Sequence, residues 1–248
     1  MHRFYLPPEK CKSATLTLTE REAHHALHVL RLEAGDEVTV LDGAGDELLC
    51  TVTEAARKTV QLAVVEKKSH PPLPARVTLL QALPKGKLMD SIVQKATELG
   101  VARIVPLLTE RTVSHVDGES AAHRVEKWRL AGMEAIKQCG SPWLPEIESP
   151  VMPEEFLARK ENFDLALVAS LQANARSARG YFEEFRKRHS RLPKSVCVWV
   201  GPEGDFSPKE YEAIAATGVL PITLGQLVLR MDTAAVACLA ILNHELNV

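Results

Sequence analysis

Two loops late in the chain combine glycines with few charges, and each follows an apolar run typical of a strand. The first loop reads GPEGDF at 201–206 and the second reads GQLVLRMD at 225–232. Glycine permits positive φ and a close approach of a ligand to the backbone, and Pro202 stiffens the first turn. Such loops can offer rigid N–H and C=O groups to a polar ring. The glycine patterns of phosphate and dinucleotide loops are absent from the sequence. A plain strand-to-helix turn explains the first loop equally well.

The second loop carries an apolar run at 227–229, where loops are usually polar. These side chains either pack under a sheet or form the wall of an apolar pocket. Arg230 stands just before an expected helix start, which Asp232 or Thr233 could cap. The following segment at 233–246 is rich in alanine. That composition is typical of a core helix, and equally of close contact with a second copy of the chain.

The elements that must position these loops are strands and helices in alternation. Apolar runs predict strands, and apolar residues at helical spacing predict helices. The predicted strands are 76–83, 102–108, 163–170, 195–200 and 220–224, and the predicted helices are 85–99 and 119–138. Alternation of this kind indicates an α/β fold with a buried parallel sheet. Ligands bind beyond the carboxyl ends of such strands, so the loops after residues 108, 170, 200 and 224 should carry the chemistry.

The first part of the chain has a different pattern. Short alternating runs predict strands at 15–18, 36–42, 47–53 and 59–66. One helix follows Thr19, which has Glu22 at capping-box spacing. Several short strands with one helix indicate a small β-barrel. The proline-rich run 67–75 predicts a stiff linker, so we expect two domains, at 1–72 and 73–248.

Composition excludes several classes of protein. The chain is 46% apolar and carries a net charge of −2, which excludes a disordered chain and an RNA-binding protein that relies on bulk charge. The five cysteines are scattered without a C-x-x-C pair, and neither a signal peptide nor a membrane span is visible. We therefore expect a cytoplasmic location and no membrane partner. His24 and His28 share a helix face, but a third ligand is missing, so we expect no metal site.

Six stretches of sequence, taken in their order along the chain, form a combination of motifs that is specific to one family. They are HRFYL (2–6), EAHHALHVLRLEAGDEVTVLDGAG (22–45), KLMDSIVQKATELGVARIVPLLTERT (87–112), QCG with PEI (138–147), VGPEGDF with a glutamate at 210 (200–210) and LGQLVLRMDTA (224–234). Over nearly its full length the chain resembles the bacterial 16S ribosomal RNA uridine-N3 methyltransferase family, a branch of the knotted SPOUT methyltransferases. The resemblance implies a SPOUT-type parallel sheet with a C-terminal trefoil knot, preceded by a PUA-like RNA-binding β-barrel.

The resemblance also implies a cofactor, a site and partners. The cofactor is S-adenosylmethionine, held by the knotted loops, and the substrate is 16S ribosomal RNA in the small subunit. The family works as a homodimer that completes the site. The implied cofactor-binding residues are Ala169, Val200, Gly201, Pro202, Glu203, Gly204, Leu224, Gly225, Leu229 and Arg230. The implied RNA-binding residues are His24, His25, Arg31 and Arg111.

Chemistry suggests which of these residues act on the substrate. The sulfonium of the cofactor already activates the methyl group, so the main contribution of the protein is to align donor and acceptor. Uridine N3 carries a proton on the Watson–Crick edge, so the base must leave its stack. Arg230 or Arg111 could stabilise the negative charge that develops on the ring oxygens. Glu203 is the nearest carboxylate in the sequence that could accept the proton.

Three positions depart from the family pattern. Asp205 stands where glycine is usual, Asp232 where glutamate is usual, and Ser141 where an arginine is usual. If position 205 needs positive φ, aspartate is among the better substitutes. Two alternatives therefore stay open. One is a SPOUT enzyme acting on another RNA position, such as a ribose 2′-hydroxyl. The other is a non-catalytic RNA-binding or assembly factor.

Overall fold

The computed structural model describes residues 1–112 and 118–246. The chain divides into two compact units. The first comprises Met1–Pro72 together with Met133–Leu144, and the second comprises Leu73–Gly132 and Pro145–Val248. One long helix contributes residues to both units.

The first unit contains a five-stranded mixed sheet. Its elements are β1 (His2–Tyr5), β2 (Thr15–Leu18), α1 (Glu20–His24), a π-helical turn (His25–Val29), β3 (Glu37–Leu41), β4 (Asp46–Ala55) and β5 (Val60–Ser69). The strand order is β1-β3-β4-β5-β2, and β1 pairs with β3 in parallel whereas the other pairs are antiparallel. The predicted strands are present, and β1 is an addition. The predicted linker begins too early, because Lys67–Ser69 still pair with β4.

The capping box predicted at Thr19 and Glu22 is wrong. The Thr19 side chain makes no cap hydrogen bond. The Glu22 carboxylate instead accepts the Tyr5 N–H at 3.2 Å and pairs with the buried Lys137 ammonium at 2.8 Å. Charge-assisted bonds to groups distant in sequence are stronger than a local cap. Glu22 therefore joins strand, helix and the 133–144 segment within this unit.

The second unit alternates strands and helices as predicted. Its elements are β6 (Arg76–Ala82), α2 (Leu88–Glu98), β7 (Arg103–Leu107), α3 (Gly118–Cys139, shared with the first unit), β8 (Glu146–Ile147), α4 (Pro153–Ala158), β9 (Leu165–Ala169), α5 (Ala178–His189), β10 (Ser195–Val200), α6 (Pro208–Ala216), β11 (Leu220–Ile222) and α7 (Met231–Leu246). The six strands run in the order β11-β9-β10-β6-β7-β8, and every pairing is parallel. The α/β fold with a parallel sheet is confirmed, whereas the trefoil knot stays a prediction.

Apolar residues cover both faces of this sheet, as near-continuous apolar strands require. One face packs under α2, α5 and α7, with Leu79, Leu167 and Val198 fully buried. The other face packs under α4 and α6 around Trp199. No described helix has both the length and the apolar character needed to cross a bilayer. The sheet is thus a rigid base for the loops at its carboxyl edge.

Candidate functional site

A cavity opens where three neighbouring strands end. Its volume is about 480 Å³, and it lies among the loops that follow β9, β10 and β11. The registers place Ala169 beside Ile222, and Val168 beside Trp199, so the ends of these strands lie side by side. A pocket of this size can enclose a small organic cofactor. Its position is the one that the sequence predicts for a parallel sheet.

The structure brings together most of the predicted cofactor-binding residues. Eight of the ten line the cavity: Ala169, Val200, Gly201, Pro202, Glu203, Leu224, Gly225 and Leu229. Gly204 and Arg230 are not among the lining residues. Arg230 is exposed, and its carbonyl accepts the Ala234 N–H at 2.8 Å at the start of α7. Because α7 begins at Met231, Asp232 and Thr233 lie inside its first turn, and the prediction that either residue caps the helix is wrong.

We call residues 200–207 the Gly-Pro loop. Its end is fixed by Glu210, which is only 1% exposed. One carboxylate oxygen accepts the Ser207 N–H and the other accepts the Glu110 N–H, each at 2.8 Å. The Ser207 hydroxyl in turn accepts the Glu210 N–H at 3.3 Å, which completes a capping box. The loop is therefore tied to the start of α6 and to the segment after β7.

Arg111 provides a second anchor for the Gly-Pro loop. Its guanidinium donates to the Gly204 carbonyl, and also to the Asp205 carbonyl at 3.4 Å. Asp205 has a φ of 63°. Position 205 therefore does adopt a positive φ, the condition under which aspartate was expected to be a good substitute for glycine. Aspartate tolerates that conformation better than most residues. Arg111 is exposed, so its guanidinium stays accessible to solvent while it holds the loop.

We call residues 223–230 the leucine loop, and it forms the opposite wall. Gly225 has a φ of 119°, which an L-residue rarely adopts. The Thr223 hydroxyl accepts the Gly225 N–H at 3.2 Å and so holds the turn. Leu227 and Val228 are 78% and 74% exposed, so the predicted alternative of packing under the sheet is wrong for both. Together with Leu229 they give this wall an apolar surface.

The third wall is the loop after β9, and sequence reasoning assigned only Ala169 to it. The Ser170 hydroxyl lies 3.0 Å from the Tyr211 hydroxyl and accepts the Gln172 N–H at 3.1 Å. Leu171, Gln172 and Ala173 then line the cavity. The position of this segment after a buried strand is the only sequence signal that could have found these residues, because no motif marks them.

A second cavity adjoins the first. Its volume is about 600 Å³, and the loop after β9, the Gly-Pro loop, α6 and Arg111 line it. Gln172, Ala173 and Asp205 line both cavities. These three residues therefore form a common wall. Tyr211 and Phe206 add aromatic surface on the side of the second cavity.

The cysteines of the described residues are not part of the lining of either cavity. Burial raises the pKa of the Cys197 thiol in β10 and of the Cys238 thiol in α7 to about 12. The thiolate is the nucleophilic form, and at neutral pH these groups are thiols. Among the described residues, no cysteine lines either cavity. The cavities therefore offer no cysteine for a covalent route.

The other predicted site residues lie in the first unit. The rings of His24 and His28 are 4.8 Å apart, as the shared face predicts, and both residues are exposed. His25 is half-buried with its ring against Phe4. Arg31 is exposed and has a φ of 55° after the π-helical turn. Within the described residues, no group of three or more His, Cys, Asp or Glu side chains has the arrangement of a metal site.

Ser141 also lies in the first unit, where the resemblance expects an arginine. Its hydroxyl accepts the Trp143 N–H at 3.2 Å and donates to the Trp143 carbonyl at 3.1 Å. The side chain thus closes a local turn, a task that an arginine would not perform in this way.

Two family models match the chain. Residues 71–243 match the RNA methyltransferase domain, and residues 18–65 match the RNA methyltransferase PUA domain. The ribosomal RNA small subunit methyltransferase E of Synechocystis is 34% identical over 99% of this chain and 78% of its own length. The protein of the same name from Bacillus subtilis is 28% identical over 99% of this chain and 97% of its own.

Solved structures agree with this placement. A Legionella pneumophila structure, described as a methyltransferase in complex with bound cofactor SAM, has a TM-score of 0.87 and 32% identity, covering 98% of this chain and 96% of its own. The Neisseria gonorrhoeae ribosomal RNA small subunit methyltransferase E bound to S-adenosyl methionine has a TM-score of 0.84 and 26% identity, covering 98% and 97%. The chain therefore belongs to the RNA methyltransferase family, among the ribosomal RNA small subunit methyltransferase E proteins.

Proposed function

We propose that this chain transfers the methyl group of S-adenosylmethionine to N3 of a uridine in the 16S ribosomal RNA of the small subunit. The observation that carries the proposal is the cavity at the ends of three parallel strands, lined by eight of the ten residues that the family resemblance implies for this cofactor. The Legionella and Neisseria structures, which match over nearly the whole chain, are described with the same cofactor bound.

The residues of the cavity fit such a ligand. Backbone groups of the Gly-Pro loop and the leucine loop would hold the polar edges of an adenine ring, and Leu224 and Leu229 would offer it apolar surface. Glu203 is exposed at the cavity, where a carboxylate favours a positively charged ligand. When bound, the sulfonium supplies an activated methyl group, and the protein contributes orientation. Arg230 remains our candidate for stabilising the developing negative charge.

We assign the two predicted domains different roles. Residues 1–72 form the PUA-like RNA-binding domain, and residues 73–248 form the methyltransferase domain. His24, His25 and Arg31 are the proposed RNA contacts of the first domain, and Arg111 is that of the second. All four have exposed or half-buried side chains that can meet a ligand. Because the net charge is only −2, we expect a folded ribosomal particle to be a better substrate than free RNA.

The proposal includes a homodimer in the cytoplasm. The exposed side chains of Leu227 and Val228 at the cavity support an assembly in which a second copy covers the leucine loop. Five free thiols support a reducing compartment.

Two measurements test the proposal. Calorimetric titration with S-adenosylmethionine should show saturable binding, and a folded protein that does not bind it would favour the non-catalytic alternative. Mass mapping of 16S RNA from a strain without this chain should then show one uridine that has lost a base methyl. Loss of a ribose methyl instead would favour the alternative acceptor.

A further inference from the structure

The end of α5 and the turn that follows it form a strongly basic surface, which we call the basic turn (residues 186–194). It contains five lysine and arginine side chains and no carboxylate: Arg186, Lys187, Arg188, Arg191 and Lys194. The basic turn therefore carries a charge of +5 in a chain whose net charge is −2, so the remainder of the chain carries −7. All five side chains belong to exposed residues. A local excess of one sign attracts ligands of the opposite charge.

The cations of α5 differ in whether a carboxylate neutralises them. Near the start of the helix, Arg179 pairs with Glu183 at 3.3 Å. Within the basic turn, Arg191 is the one cation that has a carboxylate partner among the residues that the structure describes, and that partner is Asp164. Cations in the last turn of a helix also offset the helix dipole. That effect does not account for Lys194, which lies beyond the end of α5.

Asp164 holds the basic turn in place. Its two carboxylate oxygens accept from the Arg191 guanidinium, each at 2.8 Å, and one of them also accepts the Lys194 N–H at 2.7 Å. The hydrogen bond from Arg191, above all, holds the pKa of Asp164 well below its usual range. The His189 ring stacks on Phe185 with the centroids 4.2 Å apart, and the Arg191 guanidinium lies 5.2 Å from the same ring. A turn that is already ordered loses less conformational entropy when it binds a ligand.

The basic turn lies at the edge of the sheet opposite to the cavities. Just before α5, the Arg176 carbonyl accepts the N–H of Thr223 in the leucine loop at 3.0 Å. After α5, the Lys194 carbonyl accepts the N–H of Arg76, the first residue of β6, at 2.8 Å. The helix between these two points has 12 residues and so spans about 18 Å. A ligand of the basic turn is therefore not the reacting nucleotide.

We infer that the basic turn binds the phosphate backbone of the substrate RNA at a position away from the target nucleotide, and so helps to seat the ribosomal particle. This inference rests on the proposed function. Lysine and arginine contacts to phosphate position a protein on a nucleic acid without reading its sequence. The basic turn, which the structure describes throughout, exposes no large apolar side chain. A protein partner would favour an apolar centre to its interface, so RNA is the better match.

The main test removes three cations together, by Arg186→Gln, Lys187→Gln and Arg188→Gln in one chain. Glutamine has a helix propensity close to that of lysine and arginine, so α5 should persist. In methylation of small ribosomal subunits, KM for the particle should rise about tenfold or more, while kcat and the affinity for S-adenosylmethionine stay within about twofold of wild type. In equilibrium binding of the particle, log affinity should fall less steeply with log salt, by about 2 to 3 in slope, because each phosphate contact contributes about 0.7–0.9.

Unchanged KM and salt slope in the triple variant would overturn the inference, as would a loss confined to kcat. Absence of methyl transfer by wild type would instead reject the proposed function itself.

Two further variants separate phosphate binding from effects on the fold or on net charge. Arg186→Lys combined with Arg188→Lys keeps both charges and should retain the wild-type KM, because phosphate is also bound by a point charge. Arg179→Gln removes one charge from the same helix, but that charge is already paired with Glu183, so KM should change by less than about twofold. A loss in the lysine variant as large as in the triple variant would contradict the inference. So would an effect of Arg179→Gln as large as that of Arg188→Gln.

Photo-crosslinking identifies the partner of the basic turn. Replacing Lys187 with benzoylphenylalanine places a photoreactive group on the exposed side of α5. On illumination with the small subunit, it should crosslink to 16S ribosomal RNA at nucleotides other than the methylated uridine. Crosslinks to ribosomal proteins alone would reject RNA as the partner, and crosslinks to the target uridine would contradict the separation of the two sites.

Discussion

Two walls of the first cavity, the proposed cofactor site, are held in place in different ways. The Gly-Pro loop is held by a buried carboxylate, a capping box and an arginine that binds two of its carbonyls. The leucine loop is held by one threonine turn and exposes two large apolar side chains. Polar anchoring fixes the first wall from within the chain. The second wall leaves apolar surface for another molecule to cover, which is where the proposed dimer places a second copy.

The largest expected effect comes from removing the main anchor of the Gly-Pro loop. Glu210→Ala leaves the buried N–H of Ser207 and the partly buried N–H of Glu110 without their acceptors. Each such group costs about 1–3 kcal/mol, so the free energy of unfolding should fall by about 2–4 kcal/mol. Urea denaturation measures this change. Glu98→Ala, at an exposed position, should change it by less than about 0.5 kcal/mol, and equal losses in both variants would contradict the anchoring.

Gly201→Ala tests how tightly the same loop is packed. An added Cβ would lie 3.1 Å from the Phe206 ring and 3.2 Å from the Asp205 carboxylate. Overpacking of this kind costs about 1–3 kcal/mol, and the displaced loop should bind S-adenosylmethionine about tenfold or more weakly. Titration calorimetry measures the affinity. Combining the change with Phe206→Leu should restore part of the loss, and strictly additive effects would show that the ring is not the obstacle.

Gly225→Ala tests the leucine loop, where the constraint differs. No atom lies within 4 Å of the added Cβ, so the cost comes from the φ of 119° alone. Strain of this kind costs about 1–3 kcal/mol, and we expect the lower end because the loop is exposed. Thermal unfolding with and without S-adenosylmethionine measures it. Since the added Cβ meets no neighbouring atom, shortening nearby side chains should not restore the stability of Gly225→Ala. A restored stability would show that steric overlap, as at Gly201, is the cause here too.

The smallest effect on folding should come from Leu227→Ser and Val228→Ser. Both side chains are mostly exposed, so the free energy of unfolding per chain should change by less than about 0.5 kcal/mol. Self-association, measured by sedimentation equilibrium, should weaken clearly, because apolar surface proposed to be covered is lost. An unchanged association constant would show that this loop lies outside any interface between copies.

Local pattern predicted the sheet well. The runs at 76–83, 102–108 and 195–200 became β6, β7 and β10 with small changes at their ends, because buried parallel strands are apolar throughout. The short β1 and β8 went unpredicted, since two to four residues carry little periodic signal. A capping box was predicted at Thr19, where none forms, whereas the one at Ser207 and Glu210 forms and was not predicted.

The site was only partly predictable, and the reason is spatial. The walls of the first cavity follow strands, so position in the chain pointed to the loops after residues 200 and 224, and the family resemblance then named Val200 and Leu224. Arg111 and Asp205 are 94 residues apart, and only the pairing of β6 with both β7 and β10 brings their loops together. The sequence marks Asp205 as a departure from the family pattern, but its place on the wall between two cavities follows from the fold alone.

The most direct test of the central claim is methyl transfer in vitro followed by nucleoside analysis. Small ribosomal subunits from a strain lacking this chain are incubated with the protein and S-adenosylmethionine carrying a labelled methyl group. The account predicts label in 3-methyluridine of the 16S RNA, at close to one methyl per particle. Label in a ribose, in another base, or in no nucleoside would contradict it.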